Sequence, residues 1–308
     1  MSDLALIARR AEELGFDALL SGDHIVLPLQ EQFDHPYSPD GRFGHDTGKR
    51  QGHLIESMTV LGFLAGITDR IRLGTSVMVL PYRNPIVTAK GWASLDVISN
   101  GRAVCGIGLG WSRWAFDALG IPFERRGALA DEYLQVMRAL WTQERPTFDG
   151  EFCRFEGIGF LPKPIQDPLP IWIGGQSRAA ARRAARFAQC WHATRATPDQ
   201  VAALLPYFWD CVEGEGRDPA DVGISLKRRL HFTDLGIAPG PDPFTPDEVV
   251  GTAAEVVDDA IRCGELGITQ LTYDFRTSDP DEQLRIVDAL AEHVLPVARS
   301  VPARAVRS

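Results

Sequence analysis

A chain of 308 residues, 44% of them hydrophobic, holds enough apolar material for one large domain or two ordinary ones. A net charge of -9 argues against nucleic acid and anionic membrane surfaces as partners, and the longest apolar run, Met58 to Ile67, is too short to span a bilayer. The five cysteines (Cys105, Cys153, Cys190, Cys211, Cys263) are odd in number and show no CxxC spacing, which points to a reducing cytoplasm rather than disulfides or a zinc cluster. No signal-peptide pattern opens the chain, so the expected location is cytoplasmic. Only four of the 32 basic residues are lysine, a bias that reads as a GC-rich bacterial genome.

Leu4, Ile7, Ala8, Ala11 and Leu14 recur at helical spacing, and Gly15 ends that helix. Asp17 to Ser21 reads as a short strand running into Gly22-Asp23-His24. Residues 25–53 form a polar loop of the length expected of a lid or binding loop. A helix follows from Leu54 to Ile67. Ile71 to Leu80 is a buried strand, broken by Pro81 and Pro85, and Ile86, Ala89, Ala93 and Val97 then mark a helix closed by Asn100-Gly101. Ala103 to Ile107 is a second buried strand, dissolving into Gly106, Gly108 and Gly110. A crossover of this length makes the two strands parallel.

After Trp111 a short helix precedes a longer one, Arg126 to Trp141. Residues 144–169 read as a hairpin, with Asp149-Gly150 as its turn, and a Pro-rich connector. Ile171 to Ile173 is a strand closed by Gly174-Gly175, and Ser177 to Ala188 is an Ala/Arg-rich helix. Trp191 to Thr194 is a strand, and Thr197-Pro198-Asp199 opens a helix to about Val212. Val222 to Arg228 is a strand. Thr245-Pro246-Asp247 opens a helix carrying Val250, Ala253, Val257 and Ile261. Thr269 to Tyr273 is the last strand, and Asp279-Pro280 opens the last helix. Seven strands alternating with helices predict one (β/α)8 TIM barrel domain over 1–308. Its first strand is missing from this chain, and a start downstream of that strand is the expected reason.

Three stretches could carry chemistry. Gly22-Asp23-His24 follows a strand, which in a barrel is the catalytic face; His24 can exchange protons near neutral pH, and the Asp23 carboxylate can fix its tautomer. The same residues also suit a turn capped by Asp23 with His24 packed passively. Gly106-Ile107-Gly108-Leu109-Gly110-Trp111 lets backbone approach a ligand beside an aromatic wall, although Trp111 stands where a dinucleotide fingerprint needs its last glycine, and the same residues also suit a tight strand-to-loop turn with no ligand. Gly174-Gly175-Gln176-Ser177-Arg178 joins a strand to a helix N-terminus, where free amides, the helix dipole and Arg178 suit a phosphate. His35, His45 and His53 have no carboxylate or thiol partner at metal-ligand spacing, so no metal site is expected.

Taken together, "AEELGFDALLSGDHIVLP", "RIRLGTSVMVLPYRNP", "LDVISNGRAVCGIGLGW", "RGALADEYLQVMRALWT" and "PIWIGGQSRAAARRAARFA" resemble the luciferase-like monooxygenase superfamily, in its branch of F420 (deazaflavin)-dependent oxidoreductases. The resemblance runs from Leu4 to about Asp221. It implies a (β/α)8 barrel, a homodimer, and flavin or deazaflavin at the C-terminal end of the strands. His24 takes the acid/base position of that pattern. Ser76-Val77 takes the place of a bulge, often with a non-prolyl cis peptide, that backs the central ring of the cofactor. Gly108, Leu109 and Gly110 match the glycine-rich end of strand four, and Gly174 through Arg178 the phosphate-binding turn. Ala115 stands where the pattern commonly has Glu, and Gln189-Cys190-Trp191 where it has Asp-Gly-Trp.

These readings predict hydride transfer between coenzyme F420 and a small organic substrate, in a protein of actinobacterial type. An FMN-dependent monooxygenase served by a separate reductase is the alternative, and a non-catalytic flavin- or deazaflavin-binding barrel is another.

Overall fold

In the computed structural model of the chain the described residues are 2–27, 54–240 and 244–301. They divide into two compact units, one drawn from Ala18 to Ile171, the other from residues up to Asp17 together with those from Trp172 onward. The loop expected at 25–53, with its three histidines, lies outside the described residues beyond Leu27. No helix among the described residues is long and apolar enough to cross a membrane.

The chain opens with α1 (Ser2–Leu14), which ends at Gly15 with φ +85°. The unit beginning at Ala18 is built on parallel strands. β1 (Ala18–Ser21) pairs with β2 (Arg72–Thr75), Leu19 opposite Leu73. Between them in sequence lies α2 (Ser57–Ala65), whose cap Glu56 accepts from the Thr59 N–H. The expected strand from Ile71 to Leu80 is two strands, because the chain departs from the ladder at Ser76 and Val77 before β3 (Met78–Val79). The Ser76–Val77 peptide is cis. α3 (Pro85–Ile98) starts where Asn84 accepts from the Ile86 and Val87 N–H groups and Pro85 occupies a position whose N–H would have no helical partner. Asn100 and Gly101, with φ +58° and +78°, turn the chain out of that helix. β4 (Ala103–Gly108) is buried along its whole length and pairs with both β2 and β3.

α4 (Arg113–Ala118) and α5 (Arg126–Thr142) lead to the hairpin of β5 (Phe148–Asp149) and β6 (Arg154–Phe155). Asp149 stands in the strand opposite Arg154, so the turn is Gly150 to Cys153 and not Asp149-Gly150. Glu132 on α5 dictates this: its carboxylate accepts from the Glu151, Phe152 and Cys153 N–H groups, each at 2.8 Å. Asp96 secures the connector in the same way, accepting from the Ile165 and Gln166 N–H groups and from the Gln166 amide.

The chain enters the second unit within β7 (Ile171–Gly174) and continues through α6 (Arg178–Phe187), β8 (Cys190–Thr194), α7 (Pro198–Gly214) and β9 (Gly223–Phe232). α7 carries the expected Thr197 cap, completed into a capping box by Gln200. β10 (Val249–Gly251), α8 (Ala253–Glu265), β11 (Gln270–Phe275) and α9 (Pro280–Ala289) follow. β9 pairs in parallel with β8, β10 and β11. Thr245-Pro246-Asp247 does not open a helix. The capping box of Thr252 and Glu255 does so seven residues later, and Val249, buried opposite Leu230, is pulled into the sheet instead. Leu230, Phe232, Val249, Val256, Ala260, Ile286 and Leu290 form the core between this sheet and its helices. All five cysteines are unpaired thiols, and burial pushes that of Cys105 well up.

Candidate functional site

At the exit of β1 the chain runs Gly22-Asp23-His24. Asp23 is buried, and each of its carboxylate oxygens has two donors. Oδ1 accepts from Arg83 Nη2 at 2.7 Å and Ser57 Oγ at 3.2 Å. Oδ2 accepts from Arg83 Nη1 at 2.7 Å and the Val79 N–H at 2.8 Å. An ionised carboxylate offers about four acceptor positions, and all are used here. Burial pulls the Arg83 guanidinium down, but its bonds to Asp23 and Glu56 outweigh that and hold it above its ordinary value. Tyr82, half-buried, is pushed up to about 12 by desolvation, with the Asp23 charge adding to it. Its ring meets Phe116 edge-on at 4.9 Å. His24 follows directly and is half-buried.

Ser76 and Val77 lie beside this exit, since the Ser76 N–H donates to Ser21 O at 2.8 Å. The glycines of β4 accommodate the same stretch. A Cβ on Gly106 would overlap the Thr75 carbonyl, and one on Gly108 would overlap the Val77 side chain. One on Gly110 would stand 2.7 Å from Val79 and 2.9 Å from the Phe116 ring. Thr75 Oγ1 donates to Gly106 O at 2.6 Å and locks the approach. Their smallness thus admits protein atoms from β2 and β3. Leu109, Gly110 and Trp111 form a half-buried rim beyond, and Ser112 caps α4. Ala115 is buried at the start of α4, where a carboxylate would lose its water. Asp23, His24, Ser76, Val77 and the Gly108–Trp111 stretch therefore belong to one unit.

Gly174 to Arg178 belongs to the other. Gly175 has φ +116°, a conformation few side chains tolerate, and its carbonyl accepts from Trp191 Nε1 at 2.7 Å. Gln176 is half-buried, and Ser177 caps α6 by accepting from the Ala180 N–H. That leaves the N–H groups of Arg178 and Ala179 outside the hydrogen bonding of the helix itself, at its positive end. The Arg178 guanidinium lies 4.9 Å from the centre of the Tyr207 ring. Within the Gln189-Cys190-Trp191 departure, Trp191 keeps a definite task as the donor that fixes Gly175.

Sequence reading missed two groups of residues. Arg83 and Ser57 complete the Asp23 cluster, and the only signal for Arg83 was a cation between a buried strand and the Asn84-Pro85 helix start. His192 is fully buried on β8, with Nδ1 2.9 Å from Ser225 Oγ. Desolvation, helped by Lys227, pushes its pKa down to about 3, so the ring is neutral. A histidine inside an otherwise apolar strand was its only sign. Among the described residues no group of three His, Cys, Asp or Glu side chains could hold a metal ion.

The model of the luciferase-like monooxygenase family matches residues 1–235. An uncharacterised protein of Mycobacterium tuberculosis is 32% identical over 288 residues, 93% of this chain and 92% of its own length. An F420-dependent glucose-6-phosphate dehydrogenase of Nakamurella multipartita is 33% identical over 237 residues, 75% of this chain and 64% of that protein. Among solved structures, an F420-dependent secondary alcohol dehydrogenase in complex with an F420–acetone adduct superposes with a TM-score of 0.75 at 20% identity, covering 96% of this chain and 94% of that one. The parallel strand–helix repeats described above are thus those of a luciferase-like (β/α)8 fold, and the chain belongs to the luciferase-like monooxygenase family.

Proposed function

We propose that the protein is an F420-dependent oxidoreductase that exchanges a hydride with a small organic substrate. The observation that carries this reading is likeness to F420-dependent dehydrogenases in both sequence and structure, joined to a histidine at the exit of β1. The donor set of the Gly174–Arg178 turn fits the phosphate that such a cofactor carries: two N–H groups without helical acceptors, a helix dipole and a guanidinium. When bound, the deazaflavin supplies the hydride acceptor or donor. His24 takes up or delivers the accompanying proton at its imidazole. Ser76, Val77, Gly108, Leu109, Gly110 and Trp111 shape the surface against which a planar ring lies, and Trp111 keeps water from it.

The family is described as luciferase-like monooxygenases, which supports a second reading, and we take that reading to be an FMN-dependent monooxygenase supplied by a separate reductase. Titration of the purified protein with F420 and with FMN decides between them. Tighter binding of F420 is expected; tighter binding of FMN overturns the choice, and binding of neither leaves a non-catalytic barrel. A second copy of the chain is part of the proposal. This proposal places Val87 and Ile98, 68% and 62% exposed on α3, at the contact between copies. Sedimentation should then show a dimer that Val87→Glu weakens.

A further inference from the structure

Sequence reading assigns Asp23 the task of fixing the tautomer of His24, with His24 as the group that exchanges the proton. The hydrogen bonds of its carboxylate show whether it can also move a proton itself. A group that moves protons needs a position at which a proton can arrive or leave. Both oxygens of Asp23 instead accept two bonds each, from Arg83, Ser57 and the Val79 N–H. The Asp23 side chain is 1% exposed and that of Arg83 is 16% exposed, so the pair is held away from bulk water. Arg83 also reaches Glu56, the cap of α2, at 3.1 Å. The three partners come from separate places in the chain: the start of α2, β3, and the segment leading to α3. One carboxylate thereby ties the residue preceding His24 to three elements.

We propose that Asp23 is a positioning residue that carries no proton, and that Arg83 and Ser57 share its task, together fixing the segment that presents His24. The proposal rests on the oxidoreductase reading for its use of His24, but the knot itself is open to an independent test.

A double-mutant cycle on the full chain supplies that test, with Asp23→Asn, Arg83→Met and the double variant compared in urea unfolding and in F420 titration. Neither readout needs the substrate. A positioning knot predicts that both single variants lower the unfolding midpoint. The double variant should lose less than the sum of the two, because the partners act as one unit. It also predicts that both singles weaken F420 binding to a similar degree, within about threefold of each other. The ring resonance of His24, assigned by its loss in His24→Gln, should move in both apo-variants. A proton carrier predicts the reverse pattern: Asp23→Asn would leave F420 affinity, the His24 resonance and the unfolding midpoint unchanged, and that result overturns the proposal. If a single variant fails to fold, Ser57→Ala removes one donor only and should shift the same readouts in the same direction by less; no shift of any of them in Ser57→Ala also counts against the proposal. If the wild type binds neither F420 nor FMN, the oxidoreductase reading fails, while the unfolding cycle still decides on the knot.

Discussion

The exits of β1 and β7 can be compared atom by atom. At the first, the carboxylate of Asp23 has every acceptor position filled by donors from elsewhere in its unit. At the second, Ser177 satisfies one N–H of α6, while those of Arg178 and Ala179 remain outside helical bonding and Arg178 rests on the face of Tyr207. The carboxylate at the first exit is closed to further partners, whereas the second exit retains donors that an incoming anion can use. The same kind of strand end thus supplies a fixed point in one place and a receptive one in another. The distinction rests on hydrogen-bond accounting, not on residue type.

The comparison can be broken at the first exit with the largest effect. Asp23→Ala takes from Arg83 its buried carboxylate, leaves it the more exposed Glu56, and should cost about 3 kcal/mol of unfolding free energy, the low end for breaking a buried pair. Urea denaturation checks this. A comparable loss is expected when Gly106→Ala forces the Thr75 carbonyl away, about 2–3 kcal/mol by the usual cost of overpacking. A third prediction uses pH. His192 is neutral in the fold, with a pKa of about 3 against an ordinary 6.5, so the unfolded chain takes up the proton first. This contribution to stability is complete above about 6.5 and is lost as pH falls toward 3. His192→Gln should flatten that limb of the stability profile.

The second exit predicts smaller effects on folding. Ser177→Ala removes a helix cap and should cost about 1 kcal/mol. Arg178→Ala should change stability by no more than about 1 kcal/mol, the upper end for an exposed cation–π contact, yet weaken binding of F420 in a titration. If Arg178→Ala destabilised the fold as much as Asp23→Ala, the two exits would not differ in kind.

Features that a few consecutive residues decide were legible in the sequence. Thr197-Pro198 and Asp279-Pro280 each place a cap and a helix start within two positions, and both open helices as read. Thr245-Pro246-Asp247 shows the limit of such reasoning. It has the same local form, but Val249 is better buried against Leu230 than left in a helix, and the box at Thr252 and Glu255 takes over. The Asp149-Gly150 turn was misread for a related reason, since Glu132 fixes that loop from a helix 19 to 21 residues away in the chain. The pairing of Asp23 with Arg83 spans 60 residues and has no local pattern at all. At the candidate site, then, the positions of His24 and the Gly174–Arg178 turn could be read directly. The bonds that settle what Asp23 does could not.

The glycine row of β4 limits how this protein can be altered. A side chain on Gly106 would have to move the Thr75 carbonyl, and one on Gly108 or on Gly110 just beyond the strand would have to displace the Val77, Val79 or Phe116 side chains. Attempts to retarget the enzyme by enlarging residues on that strand should cost stability before they change selectivity. Libraries aimed at altered substrates would be better spent on the half-buried rim at Leu109 and Trp111, where changes in bulk leave the interlock untouched.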